Sequence, residues 1–291
     1  MGNWKAYHIF YHNFEKHDDL IKVIAGKARE FMNAKVVEKW FFLRYWEGGP
    51  HLRVRFLNPS ESVQDEFINT IRNFIEDNPS QDTLTKEAYY KDHLFDGEVV
   101  DIEKISWHKE GEIKNYTYYP EYERYGGKEV IDYSENVFMW SSDLVDKIII
   151  GTKKFEMRMI YSAAISLIIL KDIMNKMIDF PIREFFTETI EFWSTFKLVS
   201  EEEILSFYET NSHIISKVID RINEDEQIKI YVDEILNEIH NIHLNITDMN
   251  VIASIVGSHL HMTNNRLGIT PGFERATLKW ISESNFITNS K

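Results

Sequence analysis

The stretch VEKWFFLRYWEGGPHLRVRFLN, residues 37–58, contains two apolar segments on either side of the short turn sequence EGGP. Aromatic and β-branched residues dominate both segments, which is typical of two strands joined in a hairpin. His51, Arg53 and Arg55 occupy alternate positions of the second segment. Successive side chains of a strand point to opposite faces, so these three basic side chains share one face. We interpret this face either as the solvent-exposed side of an edge strand or as an anion-binding site.

The segments around this hairpin predict an N-terminal part that mixes strands with helices. Residues 4–12 and 110–120 have the composition of strands, whereas residues 17–34 and 58–77 have apolar residues at helical spacing. The pattern of residues 80–110 is ambiguous between helix and strand.

After Gly127 the strand patterns stop, and amphipathic helical patterns follow. The predicted fold class is therefore α+β, with a sheet-bearing subregion 1–127 and an all-helical subregion 128–291 within a single domain, residues 1–291. We expect these two parts to share an interface at which a site could lie. The expected helices span roughly residues 128–150, 154–178, 181–197, 200–223, 226–246, 248–263 and 272–284.

Composition and charge exclude several classes of function. The chain has no cysteine, which excludes disulfides, thiolate metal ligands and cysteine nucleophiles. Its net charge of −14 argues against direct nucleic-acid binding by counterion release. No apolar run approaches the ~18 residues of a membrane helix, and no secretory signal pattern is visible at the N-terminus. We therefore expect a cytoplasmic protein with no membrane partner.

The stretch YPEYERYGG, residues 119–127, is a candidate ligand-binding loop. Glu121 and Arg124 lie beside paired glycines, which allow the backbone to approach a ligand closely. The alternative interpretation is a structural turn with a local ion pair between these two side chains.

The stretch GSHLHMTNNRLG, residues 257–268, is a second candidate. If the helix predicted here forms, Ser258, His261 and Asn265 lie along one of its faces, and Arg266 follows directly. The alternative is a structural histidine. The two histidines of HLH do not share a helical face, so we expect no metal site.

Four motifs together resemble a known family. In chain order they are WKAYHIFYH (4–12), KWFFLRYWEGGPHLRVRF (39–56), YPEYERYGG (119–127) and SHLHMTNNRLG (258–268). Their order and separation resemble those of the C-terminal glutamate-elimination domain of class I lantibiotic dehydratases, which also occurs free-standing in thiopeptide clusters. The resemblance covers nearly the whole chain.

This resemblance implies site residues and no cofactor. In the family, the H-L-R-x-R strand supplies two arginines that bind the glutamyl group. The P-E-x-x-R-Y-G-G loop supplies an acid and an arginine, and the H-M-x-x-N-R segment supplies a histidine. The implied catalytic residues are His261, Arg53, Arg55 and Arg124, and the implied substrate-binding residues are Glu121, His51, Asn265 and Arg266.

The resemblance also implies a reaction and its partners. The reaction is β-elimination of glutamate from glutamylated Ser or Thr of a ribosomally made precursor peptide, which gives dehydroalanine or dehydrobutyrine. Full-length lantibiotic dehydratases carry a long N-terminal domain that glutamylates the precursor from glutamyl-tRNA, and the sequence has no counterpart of it. We therefore expect a separate glutamylating partner protein. Two alternatives stay open, namely a pyridine-forming cycloaddition enzyme of thiopeptide assembly and a noncatalytic precursor-binding subunit.

Overall fold

The computed structural model of the chain describes residues 2–91, 101–196 and 200–284. The chain forms two compact units, Met1–Tyr119 and Pro120–Lys291. The first contains a four-stranded sheet, and the described residues of the second contain helices and no strand. The predicted α+β class is confirmed.

The described residues of the first unit form four strands and three α-helices, together with a short 3-10 turn. The strands are β1 (Trp4–Phe10), β2 (Lys39–Tyr45), β3 (His51–Leu57) and β4 (Ile113–Thr117), and the helices are α1 (His17–Asn33), α2 (Glu61–Asp77) and α3 (Lys86–Tyr90). The strand order is β2-β3-β1-β4, and every neighbouring pair is antiparallel. With α3 as a short addition, this is the β-α-β-β-α-β arrangement. Because β3 is paired on both sides, the edge-strand interpretation of its basic residues is wrong.

The apolar face of β3 packs against two helices. Leu52, Val54 and Phe56 on this face are fully buried. The ring of Phe56 lies 6.0 Å from that of Phe31 in α1 and 5.0 Å from that of Phe67 in α2. Burial of each such side chain contributes about 1.5–3 kcal/mol to stability. The predicted alternation is therefore confirmed, and the three basic residues of β3 lie on the opposite face.

The turn between β2 and β3 is held by a tyrosine from α3. Gly48 and Gly49 have φ angles of +84° and +113°, in the left-handed region that favours glycine. Their N–H groups donate to the Tyr90 hydroxyl over 2.9 and 3.2 Å. That hydroxyl in turn donates to the backbone carbonyl of Trp46 over 3.1 Å. Tyr90 belongs to the segment 80–110, whose sequence pattern is ambiguous and of which residues 92–100 lie outside the described residues.

The second unit is a group of packed helices that follows the predicted order. Its described helices are α4 (Ile131–Gly151), α5 (Phe155–Lys176), α6 (Ile182–Phe192), α7 (Glu201–Thr210), α8 (Ser212–Glu224), α9 (Glu226–Asn245), α10 (Met249–Leu267) and α11 (Pro271–Glu283). Helix α5 contacts α8, α10 and α11, and α4 contacts α9 and α10. Across the described part of the chain, no helix combines the length and apolarity needed to span a membrane.

Two predicted helices end or break earlier in the structure than expected. The helix expected at 200–223 is interrupted at Asn211, which separates α7 from α8. The Asn211 side chain donates to the Phe207 carbonyl over 2.8 Å, a local bond that competes with continued helix. The helix expected at 181–197 ends at Phe192, and residue 197 lies outside the described residues.

Helix α10 is longer than predicted. It continues beyond residue 263 to Leu267 and ends at Gly268, whose φ of +80° gives a left-handed C-terminal cap. Asn265 and Arg266 are therefore helical residues, fixed relative to His261 by the helix geometry.

Candidate functional site

Arg53 lies half-buried on the face of β3 that carries His51, Arg53 and Arg55, which we call the basic face. Its guanidinium carbon is 3.3 Å from the centroid of the Tyr45 ring, so the cation stacks on an aromatic face. Burial lowers the pKa of Arg53, but an arginine remains protonated at neutral pH. Glu47 acts on this charge through space. Within the described ranges, Arg53 forms no ion pair with a carboxylate.

Two histidines beside Arg53 are held neutral. His51 is 1% exposed, and its burial, followed by the charge of Arg53, lowers its pKa to about 3. His8 lies directly opposite Arg53 on β1. Burial and then the Arg53 charge lower the pKa of His8 to about 2. The positive charge of this neighbourhood therefore belongs to the arginines and not to the imidazoles.

Both ring nitrogens of His51 are engaged by the protein. Its Nε2 accepts from Nε of Arg53 over 3.2 Å, and its Nδ1 donates to the Gly49 carbonyl over 2.9 Å. Because an arginine nitrogen can only donate, the His51 proton is on Nδ1.

Arg55 lies one step further along the basic face, beside two aromatic rings. Its guanidinium carbon is 4.4 Å from the centroid of the Tyr118 ring and 5.1 Å from that of Phe41. Aromatic faces attract the guanidinium group and hold it flat. The structure therefore brings together His51 and Arg53 by a hydrogen bond, with Arg55 on the same face.

In the second unit, the loop at 119–127 is joined to α10. The Nε of Arg124 donates to the Ser258 hydroxyl over 3.1 Å. A terminal nitrogen of Arg124 also donates to Glu121 over 3.4 Å, but the two side chains are 41% and 61% exposed. An ion pair this exposed contributes little to stability. Two of the three stretches singled out in the sequence are therefore neighbours.

The paired glycines of this loop have different surroundings. Gly126 has a φ of +83°, and a Cβ atom added to it would lie 2.4 Å from Cδ1 of Ile246. Gly127 has a φ of +108° and open space in the direction of a Cβ atom. Gly126 therefore serves close packing inside the unit, rather than the approach of a ligand.

His261 contacts a buried carboxylate that the sequence did not reveal. Its Nδ1 lies 3.0 Å from Oε2 of Glu274, and the Glu274 side chain is only 1% exposed. Because a carboxylate only accepts, Nδ1 donates to Glu274, and the basic position of the imidazole is Nε2. The Trp193 ring lies 4.7 Å from the imidazole centroid. In the sequence Glu274 is only an acidic residue in the first turn of α11, a position that ordinarily indicates a favourable interaction with the helix dipole.

The other predicted residues of α10 have separate positions. Arg266 is fully buried, and it donates from Nε to the Ser142 hydroxyl over 3.0 Å and from Nη1 to the Met262 carbonyl over 2.8 Å. The bond to Ser142 ties α10 to α4, and the bond to Met262 lies within α10. Asn265 is partly exposed.

His259 belongs to the helix packing and not to the face of His261. It is 2% exposed, and its Nε2 lies 3.2 Å from the Ser134 hydroxyl. Burial, followed by the charges of Arg266 and Arg124, lowers the pKa of His259 to about 3. Within the described part of the chain, no group of three or more His, Cys, Asp or Glu residues is placed to hold a metal ion.

A family model described as lantibiotic biosynthesis dehydratase C-term matches residues 4–283. The chain belongs to this family. The resemblance inferred from the four motifs is therefore confirmed, and all the predicted site residues lie inside the match. No curated protein sequence matches the chain significantly.

Three solved structures share the fold of this family member at low sequence identity. The pyridine synthase TbtD from thiomuracin biosynthesis has 14% identity and a TM-score of 0.65, with 97% of each chain covered. The tRNA-dependent lantibiotic dehydratase MibB from Microbispora sp. 107891 has 17% identity and a TM-score of 0.60. That match covers 96% of this chain but 27% of MibB. TsrL has 13% identity and a TM-score of 0.58, with 97% of this chain and 95% of TsrL covered.

Proposed function

We propose that this chain is a lyase that eliminates glutamate from glutamylated Ser or Thr of a ribosomally made precursor peptide. The observation that carries the proposal is the environment of Arg53. This arginine is half-buried, is stacked on Tyr45, and has no carboxylate ion pair among the described residues. Such a preorganised guanidinium group suits an anionic ligand, and its planar fork matches the two oxygens of a carboxylate.

The reaction requires support for two developing negative charges. Removal of the Cα proton creates an enolate, and cleavage of the Cβ–O bond releases glutamate as a carboxylate that takes the bonding electron pair. Fixed cations aimed at such charges lower the barrier more than mobile water does. We assign this role to Arg53, Arg55 and Arg124, with Glu121 and Asn265 as further contributors to substrate binding. The substrate-binding role expected for Arg266 is not proposed, because this side chain is fully buried and bonded to Ser142.

The proton transfer is assigned to His261. Its Nδ1 hydrogen bond to Glu274 supports this assignment because it directs the basic lone pair of Nε2 away from the carboxylate. Histidine exchanges protons near neutral pH, and a neighbouring carboxylate keeps the imidazole in one tautomer. In this scheme Nε2 accepts the Cα proton, and Glu274 is a positioning residue.

The proposed partner is a separate protein that glutamylates the precursor from glutamyl-tRNA. The net charge of −14 supports leaving the tRNA to that partner. We propose that residues 1–291 act as one elimination domain, which receives the glutamylated peptide and needs no cofactor.

A pyridine-forming cycloaddition is the second candidate, because TbtD, which shares the fold, is named a pyridine synthase. A cycloaddition enzyme acts on a peptide that is already dehydrated, and it has no glutamyl carboxylate to bind. A noncatalytic precursor-binding subunit is the third candidate. It would not require a histidine whose tautomer is fixed by a buried carboxylate.

Mass spectrometry separates these candidates. One synthetic peptide carries a glutamyl ester on a single serine, and a second carries two dehydroalanines in place of serines. We expect the first peptide to lose glutamic acid and the second to remain unchanged. A cyclised second peptide with an intact first peptide would overturn the proposal in favour of cycloaddition, and two unchanged peptides would favour the binding subunit.

A further inference from the structure

His51 belongs to a chain of hydrogen bonds that links the glycine turn to Arg53. The Tyr90 hydroxyl accepts from the N–H groups of Gly48 and Gly49, the Gly49 carbonyl accepts from Nδ1 of His51, and Nε2 of His51 accepts from Arg53. The imidazole is 1% exposed, stacks on the His8 ring and contacts the tilted Phe10 ring. No ring nitrogen is therefore left to bind a substrate.

We propose that His51 is a positioning residue that sets the orientation of Arg53, and that it does not touch the substrate. This inference rests on the proposed function in so far as Arg53 binds the glutamyl carboxylate. It replaces the substrate-binding role that the family resemblance implies for His51.

The bond from Arg53 to His51 restricts how the guanidinium group can meet a ligand. Because Nε is already used, bidentate binding has to use the two terminal nitrogens. Stacking on Tyr45 at 3.3 Å fixes the plane of the group, and the Nε bond fixes its rotation within that plane. A guanidinium group binds a carboxylate most strongly when each carboxylate oxygen accepts from one of two parallel N–H groups. The stacking on Tyr45 and the bond to His51 therefore both favour carboxylate binding.

The neutral state of His51 is a condition for this role. A protonated imidazole would present an N–H group to the Nε–H group of Arg53, and two donors repel each other. His51 faces His8 and Arg53. Burial disfavours its protonation most, followed by the charge of Arg53 and, more weakly, those of His108 and His17, and together these outweigh the bond to the Gly49 carbonyl. The acceptor at Nε2 therefore persists across the working pH range.

A double-mutant cycle tests the proposal by activity. His51→Leu removes the acceptor, whereas His51→Gln places an amide oxygen where it can accept from Arg53. We expect His51→Leu to raise KM for the glutamyl-ester peptide about tenfold, the equivalent of one hydrogen bond to a charged group. We expect His51→Gln to restore most of the loss, and His51→Leu to have no further effect in an Arg53→Ala background. Equal effects of His51→Leu in both backgrounds would overturn the positioning role.

The matched control is His17→Leu. His17 is also buried in the first unit, but its Nε2 donates to the Tyr11 carbonyl over 2.7 Å and not to a site residue. We expect this variant to lose stability without a change in KM. A rise in KM equal to that of His51→Leu would show that loss of any buried imidazole suffices, which would overturn the proposal.

An NMR measurement tests the positioning role of His51 separately from the proposed function, because it does not depend on enzymatic activity. Two-bond ¹H–¹⁵N correlations should show a protonated Nδ1 and an unprotonated Nε2 for His51 at pH 7, with the Arg53 Nε–H signal protected from exchange. His51→Leu should remove that protection and His51→Gln should keep it. A protonated Nε2 of His51 would overturn the positioning role. If Nε2 is unprotonated as expected but Arg53→Ala eliminates glutamate at the normal rate, only the role of Arg53 in the proposed function is overturned.

Discussion

His261 and Glu274 lie on two successive helices, α10 and α11, and the Nδ1 hydrogen of His261 meets the buried Glu274 carboxylate over 3.0 Å. Glu274→Gln keeps the shape and an acceptor oxygen but removes the charge that stabilises an imidazolium. We expect at least about a tenfold fall in kcat for glutamate elimination, since an acid–base group is worth ~10²–10⁴-fold and depends on its orientation. Glu283→Gln, an exposed site on the same helix, is the control and should behave as wild type. An unchanged kcat in Glu274→Gln would remove Glu274 from the mechanism.

His261→Ala should slow the formation of dehydro residues by about 10²–10⁴-fold, while the glutamyl-ester peptide still binds. The measurement is a time course by mass spectrometry, together with a binding titration of the same peptide. His213→Ala, at an exposed position in α8, is the control. Elimination at the normal rate in His261→Ala would show that another group moves the proton.

Arg53→Lys keeps the charge but loses both the planar fork and the stacking on Tyr45. We expect glutamylated peptide to accumulate and KM to rise by about tenfold or more, because hydrogen bonds from a guanidinium fork to a carboxylate are among the strong ones. Arg72→Lys, at an exposed site on α2, should have no effect. Equal kinetic constants for Arg53→Lys and wild type would mean that charge alone is sufficient at this position.

Stability should fall as the pH decreases below about 6.5, because buried histidines are neutral in the folded chain. His17, His51 and His259 have pKa values lowered to about 4, 3 and 3, mainly by burial. In the unfolded chain a histidine binds a proton near pH 6.5, so between pH 6.5 and these lower values the unfolded state binds more protons and is favoured. At pH 5 each of the three costs about 2 kcal/mol of the free energy of unfolding.

Chemical denaturation of wild type and His259→Gln at pH 7 and pH 5 checks this expectation. The variant can keep a hydrogen bond to Ser134 but cannot titrate, so its free energy of unfolding should depend less on pH. A pH dependence equal to that of wild type would mean that His259 is protonated in the folded chain.

Gly126→Ala should destabilise the second unit more than Gly127→Ala. Both residues have positive φ angles, which cost a non-glycine residue about 1 kcal/mol or more. Only at Gly126 would the added Cβ also collide with Ile246, at 2.4 Å, and overpacking of this kind costs about 1–3 kcal/mol more. Thermal denaturation of the two variants measures the difference, and equal midpoints would contradict the packing argument.

The sequence was sufficient to predict the elements whose signal is local. The period-two alternation in β3 has a single consistent interpretation, because burial of Leu52 and Val54 requires that Arg53 face the other way. The end of α10 was also readable in principle, since Gly268 is a typical C-terminal cap. The break at Asn211 was missed because neither proline nor glycine marks it, and the side-chain bond that ends α7 is visible only in three dimensions.

Candidate site residues could be predicted from the sequence where they belong to a recognisable motif. Contacts between side chains of two segments that are distant in sequence could not. Arg53, Arg55 and Arg124 stand in recognisable motifs. Glu274 has no such motif, and its partnership with His261 depends on the packing of α11 beside α10. The full burial of Arg266 likewise depends on where α4 places Ser142.

The central position of β3 in the sheet limits how the length of this region can vary. One residue inserted into β3 would shift all later side chains to the other face, so that an arginine would point toward α1 and α2 and a leucine or valine would take its place. Strands on both sides hold the register, and no free edge is available to absorb the extra residue as a bulge. Insertions and deletions within β3 should therefore abolish function, and deep mutational scanning with single-codon insertions along residues 51–57 would test this directly.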